Sequence, residues 1–112
     1  MQRGDIWWVN LPEPVRSGPG YRRPALVLQA DAFNQSRIST VVVLMITKNV
    51  SLAKAPGNVL LTARASGLNV DSVINVSQIL TLDKSLLIEY VASISPTKMT
   101  KIEAGVRLVL GL

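Results

Sequence analysis

The sequence contains no cysteine and no histidine, and these absences exclude several classes of site. Without cysteine the chain has no disulfide framework, no thiolate zinc site and no cysteine nucleophile. Without histidine it has no imidazole for general acid–base catalysis or metal binding. A metal site would need the 7 acidic residues, which are scattered along the sequence. We therefore expect neither a metal nor another cofactor.

Long apolar runs are also missing. The longest, residues 41–46, is far shorter than the roughly 18 residues of a membrane-spanning helix. The first five residues lack the apolar core of a signal peptide. We therefore expect no membrane association and a cytoplasmic location.

The composition is that of one small basic domain, which we assign to residues 1–112. The chain is 48% hydrophobic and only 17% charged, which is enough apolar material for a folded core. Its formal net charge of +5 predicts an anionic partner, such as nucleic acid or an acidic protein. The apolar surplus favours a homodimer, because a small domain has little interior in which to bury it.

Short apolar and β-branched segments separated by turns predict a series of strands followed by one helix. The predicted strands are residues 6–9, 25–29, 40–47, 58–62, 73–80 and 88–94. Residues 40–47 are almost continuously apolar, which predicts a strand buried on both faces. Ser95 and Pro96 predict a helix start, and Gly111 suits its end. Successive strands without long intervening helices predict an antiparallel, partly closed barrel.

Arginine and threonine carry the most distinctive chemistry of the chain. A loop rich in proline and glycine leads to Arg22 and Arg23, whose guanidinium groups match a phosphate in geometry. Strand alternation predicts that these two side chains point to opposite sides, so that one faces a groove. Thr47 ends the most apolar strand, where its hydroxyl can donate to an oxyanion or cap the strand.

Two adjacent tryptophans, Trp7 and Trp8, lie in the first strand. Because neighbouring side chains alternate, at most one is expected to face the core. The other can stack on a nucleobase or become buried against a second subunit.

The order and spacing of several short motifs resemble the MazF/PemK-type toxins over residues 3–112. The motifs are RGDIWWV at 3–9, SGPGYRRP at 17–24, ALVLQ at 25–29, Asn34, Thr47, DSV at 71–73, SQ at 77–78 and TLDK at 81–84. The resemblance implies a mainly β fold with helices (α+β), an SH3-like partly open antiparallel barrel with a C-terminal helix. It also implies a homodimer with RNA in a groove at the dimer interface and a cognate antitoxin that covers this groove.

The activity that the resemblance implies is a sequence-specific, ribosome-independent and metal-independent endoribonuclease acting on single-stranded RNA, namely mRNA, with tRNA or rRNA as further targets. The ribose 2′-hydroxyl attacks the adjacent phosphorus, which yields a 2′,3′-cyclic phosphate and a 5′-hydroxyl end. The family's catalytic arginine and threonine correspond to Arg23 and Thr47. Further candidates for RNA binding are Arg16, Ser17, Arg22, Gln29, Asn34, Lys48 and Gln78.

The sequence departs from the family pattern at two places. Gly18 stands where many members carry a glutamate that is proposed as the general base. The family's Gln-Asn-Asp is here Gln29-Ala30-Asp31. The general base is therefore open, with Asp31 and a water molecule as alternatives.

Two other functions remain alternatives at this stage. One is a toxin of the same barrel fold that inhibits DNA gyrase, as CcdB-type proteins do. The other is a non-catalytic RNA-binding module, which would bind RNA with the usual salt dependence but release no fragments.

Overall fold

The computed structural model describes residues 1–12 and 21–112. Its six strands form one antiparallel sheet in the order β4-β5-β3-β2-β1-β6. The strands are β1 (Asp5–Asn10), β2 (Arg22–Val27), β3 (Thr40–Thr47), β4 (Val59–Leu61), β5 (Ser72–Asp83) and β6 (Leu87–Ser93). The helices are α1 (Asp31–Asn34), α2 (Ala63–Ser66) and α3 (Pro96–Leu110), with 3-10 turns at Val50–Lys54 and Lys84–Leu86.

The central strand β3 separates two apolar clusters, one on each face of the sheet. Leu44 and Ile46 belong to the first, which also receives Met99 and Ile102 of α3. Val43 and Met45, among others, belong to the second. The prediction of a strand buried on both faces is therefore confirmed for most of its length.

The two clusters also explain the adjacent tryptophans. Trp8 packs against the first cluster and Trp7 against the second, and both are half-buried. The expectation that at most one would face a core is wrong, because this sheet has a core on each side. Trp7 also packs edge-on against Tyr90, with 5.9 Å between ring centroids.

The long strand β5 contains a bulge opposite the middle of β3. Leu44 pairs with Ile79, whereas the next residue, Met45, pairs with Asn75. The extra residues in β5 include Ser77, which is exposed, and Gln78, which is half-buried. These polar residues therefore mark a change of register, which bends a strand and increases its twist.

Helix α3 begins and ends as the sequence predicts. The Ser95 hydroxyl accepts a hydrogen bond from the backbone N–H of Lys98, Pro96 occupies the first turn, and Gly111 adopts a left-handed conformation. Met99 and Ile102 are buried. Among the residues that the structure describes, no helix has the length and apolarity needed to cross a bilayer.

Candidate functional site

A cavity of about 690 Å³ lies where β2 begins and β3 ends. It contains both predicted catalytic side chains, Arg23 and Thr47. The described residues that line it are Trp8, Arg22, Arg23, Pro24, Ile46, Thr47, Lys48, Asn49, Leu68, Asn69, Val70 and Ser72. A second cavity, of about 510 Å³, lies between β4 and α3 and includes neither Arg23 nor Thr47 among its described lining residues.

Arg23 is held at this site by strand pairing and by one side-chain contact. Pro24 favours an extended backbone at Arg23, and Arg23 pairs with Val9 of β1. Its Nη2 donates to the carbonyl oxygen of Ile46 at 3.3 Å. Within residues 1–12 and 21–112 this is the one hydrogen bond of the Arg23 side chain, and a guanidinium has further N–H donors that can bind an anion.

Thr47 lies at the end of β3, close to the Arg23 side chain. The last residue pair between β2 and β3 is Ala25 with Met45, and beyond it the Arg23 guanidinium contacts the carbonyl oxygen of Ile46, the residue before Thr47. The Thr47 hydroxyl oxygen accepts the backbone N–H of Asn49 at 3.2 Å. No bond donated by this hydroxyl is found among the described residues, and a hydroxyl that accepts one hydrogen bond can also donate its proton to a ligand.

Arg22 is also among the residues that line the cavity. Its guanidinium carbon lies 4.8 Å from the ring centroid of Trp8. Its Nη2 also lies 3.1 Å from Oε1 of Glu89 on β6. Arg22 thus contacts one residue that lines the cavity, Trp8, and one that is not among its described lining residues, Glu89.

The opposite wall of the cavity was not predicted from the sequence. It is formed by Leu68, Asn69 and Val70, which connect α2 to β5, and by Ser72. Helix α2 has its own N-cap, because the Thr62 hydroxyl accepts the N–H of Ala65 at 3.1 Å. Thr62 before the helix and Gly67 after it, with φ of +76°, were its local sequence signals.

Gln29 and Asn34, both candidates for RNA binding, are not among the described residues that line the cavity. The Gln29 amide donates to Oδ1 of Asn34 at 3.0 Å, and its Oε1 accepts the N–H of Val42 at 3.2 Å. The Asn34 amide donates to the Gln29 carbonyl oxygen and to Oδ1 of Asp31. Their polar groups thus hold the β2–β3 connection together.

Asp31 belongs to the same network. Its Oδ1 accepts the backbone N–H of Arg3 at 2.7 Å. This hydrogen bond, followed by that from the Asn34 side chain, lowers the pKa of Asp31 below its ordinary value. A carboxylate with a lowered pKa is a weaker base, and Asp31 is not among the described lining residues of the cavity.

Acid is expected to weaken the fold through two aspartates, Asp31 and Asp83. The pKa of Asp83, like that of Asp31, is lowered, in this case by hydrogen bonds from the side chain and backbone of Ser85. Because both pKa values are lower in the folded chain, their stabilising contribution is complete above about pH 4 and is lost at lower pH. Urea unfolding from pH 7 to pH 2.5 should show a plateau and then a decline. The Asp31→Asn/Asp83→Asn double variant should decline less steeply, and an identical decline would refute the assignment.

The other predicted RNA-binding residues are distributed as follows. Lys48 lines the cavity and is exposed. Gln78 lies in the β5 bulge and is not among the described lining residues. Arg16, Ser17 and Gly18 lie outside the residues that the structure describes.

Positive charge dominates the described cavity. Arg22, Arg23 and Lys48 line it, and no carboxylate is among its described lining residues. Within residues 1–12 and 21–112, no three acidic side chains gather in a way that could hold a metal ion. An electropositive cleft with guanidinium groups fits a phosphodiester.

Comparison with known families supports this interpretation. Residues 2–110 match the family of PemK-like, MazF-like toxins of type II toxin–antitoxin systems. The chain belongs to this toxin family. Its predicted fold is thereby confirmed as well, since a six-stranded antiparallel sheet with a C-terminal helix is the architecture of MazF toxin structures.

Individual MazF-like proteins are similar to this chain over nearly their whole length. The endoribonuclease MazF6 of Mycobacterium tuberculosis is 43% identical over 112 residues, which cover 100% of this chain and 98% of that protein. The crystal structure of MazF from Deinococcus radiodurans has a TM-score of 0.80 at 25% identity, covering 100% and 97% of the two chains. A mycobacterial endoribonuclease in complex with its cognate antitoxin has a TM-score of 0.75 at 25% identity, covering 100% and 94%.

Proposed function

We propose that this MazF-type endoribonuclease toxin cleaves single-stranded RNA by transesterification, with the scissile phosphate bound between Arg23 and Thr47. The observation that carries the proposal is that these two side chains line one cavity at the junction of β2 and β3. The family supports the class of reaction, and several relatives are named endoribonucleases. The gyrase-inhibitor alternative has no comparable support in this cavity.

In this reaction the substrate supplies the nucleophile. The 2′-oxygen forms a bond to phosphorus while the bond from phosphorus to the 5′-oxygen breaks, which gives a 2′,3′-cyclic phosphate and a 5′-hydroxyl. The protein therefore has to align the reacting atoms and stabilise the charge that develops on the phosphorane. Arg23 neutralises that charge and donates a proton to the departing 5′-oxygen, taking one back from solvent water to regain its charge, and Thr47 donates a hydrogen bond to a non-bridging oxygen.

The proton of the 2′-hydroxyl needs an acceptor. Asp31 is occupied by Arg3 and Asn34 and is not a described lining residue of the cavity. No other carboxylate is among the described lining residues. We therefore assign this step to a water molecule in the cavity. Because Arg23 provides positive charge at the phosphate, the proposed reaction needs no metal ion.

The first test is to incubate the purified protein with a long mixed-sequence RNA in EDTA and to map the new ends. We expect discrete 5′-hydroxyl ends that share a short sequence motif. The same sequence as single-stranded DNA should stay intact, because it lacks the 2′-hydroxyl. Intact RNA from a folded protein would refute the proposal, and a gyrase supercoiling assay would then test the CcdB-like alternative.

Removal of the Thr47 hydroxyl should slow cleavage about 10- to 100-fold, since one hydrogen-bond donor to the developing charge is lost. The measurement is the single-turnover rate of Thr47→Ala on a fixed RNA oligonucleotide. Thr47→Ser retains the hydroxyl and should keep most of the activity. Equal rates for the alanine and serine variants would show that the hydroxyl does not act on the phosphate.

We also propose a homodimer that is neutralised by a cognate antitoxin in the cytoplasm. Leu108, Leu110 and Leu112 are 63%, 54% and 85% exposed near the end of α3, which is apolar surface that a second copy can cover. The net charge of +5 favours an antitoxin with an acidic binding segment. A related endoribonuclease has been solved with its cognate antitoxin.

A further inference from the structure

Arg22, Trp8 and Glu89 contact one another on three neighbouring strands, and the first two of them line the cavity. Trp8 of β1 pairs directly with Glu89 of β6. Arg22 of β2 pairs with Asn10, two residues beyond Trp8, so all three side chains lie on the same face of the sheet. The Arg22 guanidinium covers the indole ring at 4.8 Å and reaches Glu89 at 3.1 Å.

Trp8 and Arg22 supply the two groups with which proteins bind single-stranded nucleic acid. An indole face stacks on any base, and a guanidinium binds a phosphate or stacks on a base. Both residues line the cavity that holds Arg23 and Thr47. An RNA strand whose scissile phosphate is bound at Arg23 therefore places a neighbouring nucleotide within the same cavity.

Glu89 competes with that nucleotide for Arg22. The side chains of Arg22 and Glu89 are 48% and 62% exposed, and ion pairs in such positions contribute little to stability. A phosphate can therefore replace Glu89 at little cost to the fold. Until it does so, the carboxylate holds the guanidinium over the tryptophan ring.

We propose that Trp8 and Arg22 form a binding subsite for the RNA nucleotide next to the cleaved phosphodiester, and that Glu89 occludes this subsite until the RNA phosphate takes Arg22. This inference rests on the proposed ribonuclease function. It assigns to Glu89 the role of lowering RNA affinity. A negative charge at this position therefore weakens binding specifically through Arg22.

The test measures binding of an RNA oligonucleotide that carries 2′-deoxyribose at the cleaved position, by fluorescence anisotropy at low and moderate salt. Glu89→Gln should bind at least about threefold more tightly than the original chain, with the larger gain at low salt. Glu103→Gln is the matched control. Glu103 forms the other described ion pair, with Arg3 at 2.8 Å, and its replacement changes the net charge equally. It should leave affinity nearly unchanged.

A double variant shows whether Glu89 acts through Arg22. In an Arg22→Ala background, Glu89→Gln should no longer raise affinity, because the group that it releases is absent. A full gain in that background, or an equal gain from Glu103→Gln, would overturn the proposal, since the effect would then be one of net charge alone.

The stacking role of Trp8 is tested by replacing its side chain with an aromatic one and with an aliphatic one. Trp8→Phe should bind RNA within about threefold of the original chain, whereas Trp8→Leu should bind about tenfold more weakly. If Trp8→Leu does not fold, Trp7→Phe leaves Trp8 as the only tryptophan, and its emission should change when RNA is added. Unchanged emission, or equal binding by the phenylalanine and leucine variants, would refute stacking.

Failure of this inference can be distinguished from failure of the proposed function. If the original chain cleaves RNA but Glu89→Gln gains no affinity, the subsite is wrong and the enzyme assignment stands. If the chain cleaves no RNA, the proposed function is wrong, and binding can be measured with the all-ribose oligonucleotide. An effect of Glu89→Gln on antitoxin binding alone would overturn the RNA subsite and assign this surface to the antitoxin.

Discussion

Replacement of Arg23 by alanine is expected to reduce RNA cleavage at least about a thousandfold while the chain remains folded. The loss is large because Arg23 supplies both the charge and the donors at the proposed phosphate position. The cost in stability should stay within about 1 kcal/mol, since the only described bond of its side chain is that to Ile46, at 3.3 Å. Single-turnover cleavage and urea unfolding measure the two effects separately.

Two variants control for the charge that Arg23→Ala removes. Arg37 is exposed and is not among the described lining residues of the cavity, so Arg37→Ala should cleave RNA normally. Arg23→Lys keeps the charge but loses the planar fork of donors, and it should remain at least about tenfold slower than the original chain. Normal cleavage by Arg23→Ala would disprove the assigned site.

The strands were predictable where the local pattern and the tertiary environment agree. Strand β3 was predicted at its observed bounds because its apolar residues suit both faces of a doubly covered sheet. Strand β5 was predicted to end at residue 80, but it continues to Asp83. Its last residues pair with the start of β3, where Thr40 lies opposite Asp83. That extension depends on the partner strand rather than on local sequence.

The short helix α2 was harder to predict because a distant contact helps to hold it. Helix α2 is a single turn, and its first N–H groups are satisfied by Thr62 and by Asp71, the latter at 2.8 Å from the backbone nitrogen of Ala63. Asp71 follows the helix and becomes a partner only once the chain has turned back. The wall of the cavity that α2 positions was therefore missed together with the helix.

Some of the predicted site residues that the structure describes line the cavity and others do not. Arg23 and Thr47 were assigned through the family resemblance, and both line one cavity. Gln29 and Asn34 were candidates as polar residues of the family-like motifs, yet they hydrogen-bond to each other. Polarity in the sequence alone does not distinguish a side chain that binds a ligand from one that satisfies a turn. Glu89 gave no sequence signal, because its importance depends on the β1–β6 pairing.

The close approach of α3 to the loop before β4 should make Gly105 the most sensitive position in the helix. A Cβ atom on Gly105 would collide with the carbonyl oxygen of Gly57 and lie 2.9 Å from its carbonyl carbon. The obstacle is backbone, which cannot move aside as a flexible side chain can. Gly105→Ala is therefore expected to lower the free energy of unfolding by about 3 kcal/mol.

The sign of the change in the free energy of unfolding of Gly105→Ala distinguishes an effect of packing from one of helix propensity. Propensity alone predicts that alanine stabilises a helix interior by about 1 kcal/mol relative to glycine. The matched control is Gly111→Ala, where φ is +72° and no atom lies within 4 Å of the added Cβ. It should cost about 1–2 kcal/mol through backbone strain alone. Urea unfolding at one fixed protein concentration measures both variants, because the proposed dimer would make stability depend on concentration. A stabilised Gly105→Ala variant would show that α3 does not pack backbone to backbone at Gly57.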